Sequence, residues 1–315
     1  MRIFVSIAAY CDPVLPFTLE RAVACARHPD RLHFGIVDQA LEGMAPAPHP
    51  GGGARVSQLR LDALQARGPC WARAIAMSLY DGEDWFLQLD SHMDFDPDWD
   101  LRLVAQAKAL GAPARGLVIS SYPNAFAFEG RQVVRRPTTV AGVLAHVLKP
   151  GAAFAAEHPV LAFEAHPVES TQPLPAFHLG AGCLFAPGRF AYDFPYDPWF
   201  YFHGEEQALA LRLYTHGWDL FHMPAQPVHH LYNDARSGAP PRPMHWDDAH
   251  EAQRGESWWK LEQRSQLRLA ALVAGEPLGV YGLGRRRGVA DYAAFSGIDY
   301  AARTLAASAF EPRTL

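Results

Sequence analysis

The sequence predicts an α/β fold, a mostly parallel sheet flanked by helices, and three observations carry that expectation. Four runs, RIFVSIAA (residues 2–9), RLHFGIV (31–37), DWFLQLD (84–90) and LVISSYP (117–123), are almost continuously apolar, as strands covered on both faces must be. Helical periodicity fills much of the chain between them, the alternation that builds layered α/β domains. The chain of 315 residues is 49 % hydrophobic and only 19 % charged, so it can bury a large core and general disorder is excluded.

The elements follow in order. The first strand stops at Cys11, Asp12 and Pro13, and a helical pattern covers residues 18–27. The second strand ends in Asp38 and Gln39. APAPHPGGGA (45–54) is a loop by composition, and VSQLRLDAL (56–64) is β-like or mixed. Gly68 and Pro69 open a helix over CWARAIAMSLYDG (70–82), with Ala72, Ile75, Ala76 and Leu79 as its buried stripe and Arg73 on the opposite side. A further helix covers residues 99–110. Residues 130–176, rich in Pro and Ala, hold hairpins or excursions. HLGAGCLFAPGRF (178–190) sets Gly180, Ala181 and Gly182 in an apolar run, a sign of close backbone approach. A helix over residues 205–216 stops at Gly217, a strand follows, and residues 233–254 read as polar loop. SWWKLEQRSQLRLAALVAG (257–275) is the last long helical pattern.

Composition narrows the function. The net charge is −5 and no polybasic face stands out, which argues against nucleic acid or an anionic membrane as main partner. Four cysteines without a CxxC pair argue against a disulfide framework and for a reducing compartment. The N-terminal apolar run is broken early by Asp12 and Pro13, and no stretch reaches membrane-spanning length, so a soluble, cytoplasmic protein is expected. Gly282-x-Gly284 is too short for a dinucleotide fingerprint, and neither a P-loop nor GxSxG occurs.

In parallel sheets, ligands bind beyond the carboxyl ends of the strands, where Tyr10, Asp38 and Asp90 fall. Asp90 and His92, two apart at a strand end, point the same way and can face one ion. An oxygen plus an imidazole suits Mn²⁺, Zn²⁺ or Fe²⁺ better than Ca²⁺. The plain alternative is a helix-capping Asp and a surface His. A third ligand is available among His222, His229 and His230. Glu205 and Glu206 open a helix whose dipole favours acids. They also follow the aromatic run PWFYF (198–202), a wall at whose edge a carboxylate could accept a hydrogen bond from an incoming hydroxyl. Arg73, like Arg285, Arg286 and Arg287, is a solvated surface cation or a phosphate contact.

Taken in order, GPCWAR, DWFLQLDSHMDFDPDWD, HLGAGCLFAP, DPWFYFHGEEQALALRLYTHGWDLFHMP, HHLY and YGLGRRRGVADYAAFSGID resemble the glycosyltransferases that attach α-linked N-acetylglucosamine to hydroxyproline or Ser/Thr of cytoplasmic proteins. The resemblance spans roughly residues 2–300, and the more distant polypeptide N-acetylgalactosaminyltransferases share the layout. It implies a single GT-A domain over residues 1–315: a nucleotide-binding half (1–125), an acceptor-side half (126–255) and a C-terminal helical extension (256–315). It implies Mn²⁺ (or Mg²⁺), a UDP-sugar donor, and a protein, peptide or small-molecule hydroxyl as acceptor. Asp90 and His92 match the metal-binding pair, with His230 as third ligand and His229 as its rival. Ser91 lies between the first two, on the nucleotide. Ala8 and Tyr10 line the base and ribose, Asp38 and Gln39 contact uracil, and Arg73 approaches the nucleotide. Gly180, Ala181 and Gly182 floor the sugar, and Glu205 and Glu206 form the catalytic, acceptor-side element. The resemblance implies retention of anomeric configuration, with the leaving phosphate taking the acceptor proton. Two rival readings start from the same residues. One is a zinc hydrolase on Asp90, His92 and His230; the other is a non-catalytic carbohydrate- or peptide-binding module built on residues 199–202.

Overall fold

The computed structural model describes residues 1–137, 142–234 and 236–314. β1 (Ile3–Tyr10), α1 (Leu15–Cys25), β2 (Leu32–Ala40), β3 (Arg55–Asp62), α2 (Pro69–Met77) and β4 (Trp85–Asp90) form the first half of the alternation. β5 (Met93–Phe95), α3 (Trp99–Ala109), β6 (Leu117–Ile119), β7 (Asn124–Glu129) and β8 (Gln132–Arg136) follow. β9 (Gly142–Leu148) and β10 (Phe163–Glu169) pair antiparallel as the hairpin expected in this region. Then come β11 (Leu174–Ala176), β12 (Cys183–Pro187), α4 (Phe190–Asp193), α5 (Glu205–Thr215), β13 (Asp219–His222) and β14 (Val228–His230). α6 (Asp248–Glu251), a short turn of helix inside the expected loop, precedes α7 (Trp258–Val273) and α8 (Val289–Ser296).

Among the described residues, the main sheet has eight strands in the order β11-β13-β6-β12-β4-β1-β2-β3. From β3 to β4 every neighbour is parallel. Both faces are covered, which explains the unbroken apolar runs. Along β1, Ile3, Val5 and Ile7 pack with Leu15 and Leu19 of α1, while Phe4 packs with Phe86, Phe190 and Leu209 on the other side. β12 then inserts antiparallel between β4 and β6, pairing Cys183 with Leu89. That reversal sets the residues before β12 beside the carboxyl end of β4, where Asp90 N–H donates to the Gly182 carbonyl at 3.0 Å. A second sheet, β5-β14-β7-β8, pairs His230 with Met93 and so carries a late histidine back to the residues just after β4.

The sequence reading of α2 needs one correction. Arg73 does not lie on a solvated face; it is buried beside Cys70, Ala72, Ala76 and Met77, whereas Ile75 is only half-buried. The reason is electrostatic: two carboxylates wait for it inside the fold.

Candidate functional site

Beyond the carboxyl ends of β1 and β4 opens a cleft of about 560 Å³, a size that suits a small organic ligand. Ligand atoms of Asp90, His92 and His230 all lie within 4.8 Å of one another in it. His92 and Asp90 are held from behind, whereas His230 Nδ1 has no hydrogen-bond partner. His92 Nδ1 meets Asp12 Oδ2 at 2.7 Å, which leaves Nε2 for the cleft, and Asp12 also accepts from Ser91 Oγ at 2.6 Å and from the Val14 N–H at 2.8 Å. Burial works against charge on Asp12, but the bonds from His92, Ser91 and Val14 outweigh it and hold the carboxyl below its usual range. This is the carboxylate–histidine arrangement that orients metal ligands. His230 Nε2 lies 3.2 Å from Asp90 Oδ2. His229, its sequence neighbour on the strand, turns to the other face and meets Asp96 Oδ1 at 2.9 Å, so the pleat brings His230 and not His229 to Asp90. His222 is buried elsewhere, with Nδ1 against the Ser120 carbonyl at 2.6 Å.

Arg73 joins the corner to the α5 N-terminus. Its Nη2 donates to Asp90 Oδ1 at 3.0 Å and its Nη1 to Glu205 Oε1 at 2.7 Å. The Cys70 thiol donates to the other Glu205 oxygen at 2.6 Å. Burial raises the Glu205 carboxyl above its ordinary value, and Arg73 only partly offsets it. At Asp90, burial is overcome by His230, Arg73 and His92, and the carboxyl sits well below the usual range, ionised at any physiological pH.

Glu206 takes the opposite course from Glu205. Its side chain is 36 % exposed in the cleft, with Oε1 accepting from the Ala181 N–H at 2.8 Å. The glycines beside that amide are demanded by close approach. A Cβ at residue 182 would fall 2.5 Å from Asp90 Oδ2, and one at residue 180 would fall 2.9 Å from His146 Nε2. Gly180 itself lies just behind the wall and is tied to Ser120 Oγ at 3.0 Å.

The expected nucleotide contacts divide. Ala8, Tyr10, Arg73, Ser91, Ala181 and Gly182 line the cleft. The Tyr10 hydroxyl is 2.6 Å from His250 Nδ1 and accepts from Arg254 Nη2 at 2.9 Å, so residues 250 and 254 pack over this end. Asp38 and Gln39 lie inside β2 and outside the lining. Asp38 pairs with Arg60 at 3.3 Å, and the Gln39 amide donates to the Ala9 carbonyl at 3.0 Å. The aromatic run is not a continuous wall: Phe200 and Tyr201 are core, Trp199 is 60 % exposed outside the cleft, and Phe202 alone of the four lines it. Sequence reasoning missed Asp12, Tyr122, His178, Arg242 and His245, all in the lining. Asp12 follows a strand end just as Asp90 closes one, and that signal could have found it; the others carry no local mark.

The model of the family described as Glycosyltransferase (GlcNAc) matches residues 49–302. A search of curated proteins gives no significant match. Among solved structures, the fold is similar to a crystal structure of GalNAc-T7 with UDP, GalNAc and Mn²⁺, at a TM-score of 0.56 and 14 % identity, over 86 % of this chain. The chain spans about half, 48 %, of that structure's length. A crystal structure of S. aureus TarS 1–349 aligns over 71 % of this chain and 60 % of its own, at 13 % identity and a TM-score of only 0.41. With the matched region covering most of the chain, and with the mixed sheet and its strand-end cleft in place, the protein belongs to the glycosyltransferase (GlcNAc) family and has a GT-A fold.

Proposed function

We propose that this protein is a metal-dependent, retaining glycosyltransferase that moves a sugar, N-acetylglucosamine, from a UDP-sugar to a hydroxyl of a protein, peptide or small molecule. The observation that carries the reading is the corner of Asp90, His92 and His230, three donors converging at the carboxyl end of a parallel strand with one imidazole pre-oriented by a buried carboxylate. One oxygen and two nitrogens fit Mn²⁺ or Mg²⁺ together with phosphate oxygens, and fit Mn²⁺ better. The bound ion would act as a Lewis acid that offsets charge on the departing diphosphate. The family name supports the sugar, and the UDP, GalNAc and Mn²⁺ bound by GalNAc-T7 support the donor and ion.

The chain's own residues divide the remaining work. Arg73, clamped by Glu205, fixes the Asp90 carboxylate. Ala8, Tyr10 and Ser91 line the nucleotide end. Glu206 faces the cleft and orients a hydroxyl of sugar or acceptor, while Glu205, engaged by Arg73 and Cys70, holds the frame. The bond from the anomeric carbon to the β-phosphate oxygen breaks, and a bond to the acceptor oxygen forms on the same face. The acceptor's proton passes to the leaving phosphate oxygen, so the reaction needs no separate protein base. Four free cysteines support a cytoplasmic setting, and among the described residues no helix is long and apolar enough to cross a membrane.

The test is thermal unfolding. Mn²⁺ and UDP together, at about 100 times their dissociation constants, raise Tm by several degrees; EDTA removes the gain, and Asp90→Ala abolishes it. Tightly held zinc with no response to UDP would favour the hydrolase reading instead.

A further inference from the structure

The lining of the cleft also holds a group that the reading above leaves unused. His178 is 1 % exposed, yet it lines the cleft, and neither ring nitrogen has a hydrogen-bond partner. Its ring lies flat on Phe163, with centroids 3.4 Å apart and planes at 8°. Leu161, Ala162 and Tyr122 make the surrounding wall mostly apolar. A buried imidazole with nothing to bond costs free energy, so a partner arriving through the cleft is expected. Glu206 Oε2, also in the cleft, lies 3.6 Å from His178 Nε2. That spacing is too long for a direct hydrogen bond, and the Ala181 N–H holds Glu206 by its other oxygen, which limits how far it can swing.

An imidazole N–H and a carboxylate oxygen side by side offer one donor and one acceptor, the complement of a hydroxyl group. We propose that His178 and Glu206 together grip one ring hydroxyl of the donor's sugar, His178 donating to the hydroxyl oxygen and Glu206 accepting from it. This makes His178 a specificity-determining residue, and it rests on the sugar-transfer reading above. Burial also pushes the His178 imidazole below its ordinary value, so the ring is neutral and carries a single N–H at physiological pH. His146 sets the contrast. It is equally buried and unpartnered, 5.8 Å away ring to ring, but it lies behind Gly180 and outside the cleft.

The experiment measures UDP and UDP-sugar binding by titration calorimetry in the presence of Mn²⁺, for the whole chain and for His178→Phe, which keeps the stacked ring and removes the nitrogens. His178→Gln, which restores an amide donor, guards against a folding defect. His178→Phe should leave UDP affinity unchanged within about twofold and weaken the UDP-sugar about three- to tenfold, with His178→Gln recovering part of the loss. A series of UDP-sugars each lacking one ring hydroxyl then identifies the gripped group: the wild type should discriminate against one of them, and His178→Phe should not. Equal weakening of UDP and UDP-sugar, or an unchanged deoxy-sugar profile, overturns the proposal while leaving the sugar-transfer reading intact. No UDP binding by the wild type in Mn²⁺ overturns both.

Discussion

Two groups of side chains at the cleft are built on opposite principles. In one, the charged side chains of Asp90, Arg73 and Asp12 form a lattice that also holds His92 and His230. In the other, His178 in the lining and His146 behind it are buried neutral rings without hydrogen-bond partners, set among Phe163 and Tyr122. A charged lattice is pre-organised to receive further charge with little rearrangement, which suits the cation and diphosphate of the proposed function. An unpartnered neutral ring instead contributes little until a matching polar group arrives, which is how a site discriminates between sugars that differ by one hydroxyl.

Three measurements break or sharpen that contrast. The largest effect belongs to the lattice. Arg73→Met strands the Glu205 carboxyl inside the fold and should cost about 3–5 kcal/mol of stability in chemical denaturation. A loss below about 1 kcal/mol would mean that the lattice is not the stiff group. Next comes the pair of adjacent histidines. His230→Ala should weaken Mn²⁺-dependent UDP binding about 100-fold, whereas His229→Ala, tied to Asp96, should change it less than twofold. Similar effects from both would place the ion elsewhere. The smallest effect belongs to the neutral group. Burial lowers the folded-state value of His146 and of His222, the latter to about 4, while the unfolded chain takes up these protons near pH 6.5. Their contribution is therefore complete above about pH 6.5 and is lost as pH falls toward 4. His146→Phe should flatten that acid loss by up to about 1.4 kcal/mol per pH unit, read from denaturant midpoints across the window. An unaltered slope would mean that His146 titrates normally and the ring cluster is wet.

The legibility of the site follows the same division. Asp90 and His92 could be read directly, because a strand end is a local event and two residues separated by one share a direction. Which of His229 and His230 lies beside Asp90 was beyond local reasoning; the pleat of β14 and its register against β5 decide that proximity. Asp12 was passed over although it bonds to His92 across 80 residues. Arg73 was placed on the wrong face because an amphipathic pattern scores a cation as solvated, and nothing nearby in the chain reveals Asp90 or Glu205 waiting inside.

By itself the sequence determined the strands β1, β2 and β4 and left β3 as β-like or mixed, since periodicity, caps and strand ends are short-range properties. It also marked close approach at Gly180 and Gly182. Tertiary structure alone decided what those glycines approach, because the antiparallel entry of β12 between β4 and β6 sets residues 180–182 against Asp90 and His146. It alone separated the two glutamates as well, turning Glu205 inward to Arg73 and Glu206 outward to the cleft. Successive residues on a helix point about 100° apart, and what lies in each direction is fixed by strands distant in the chain.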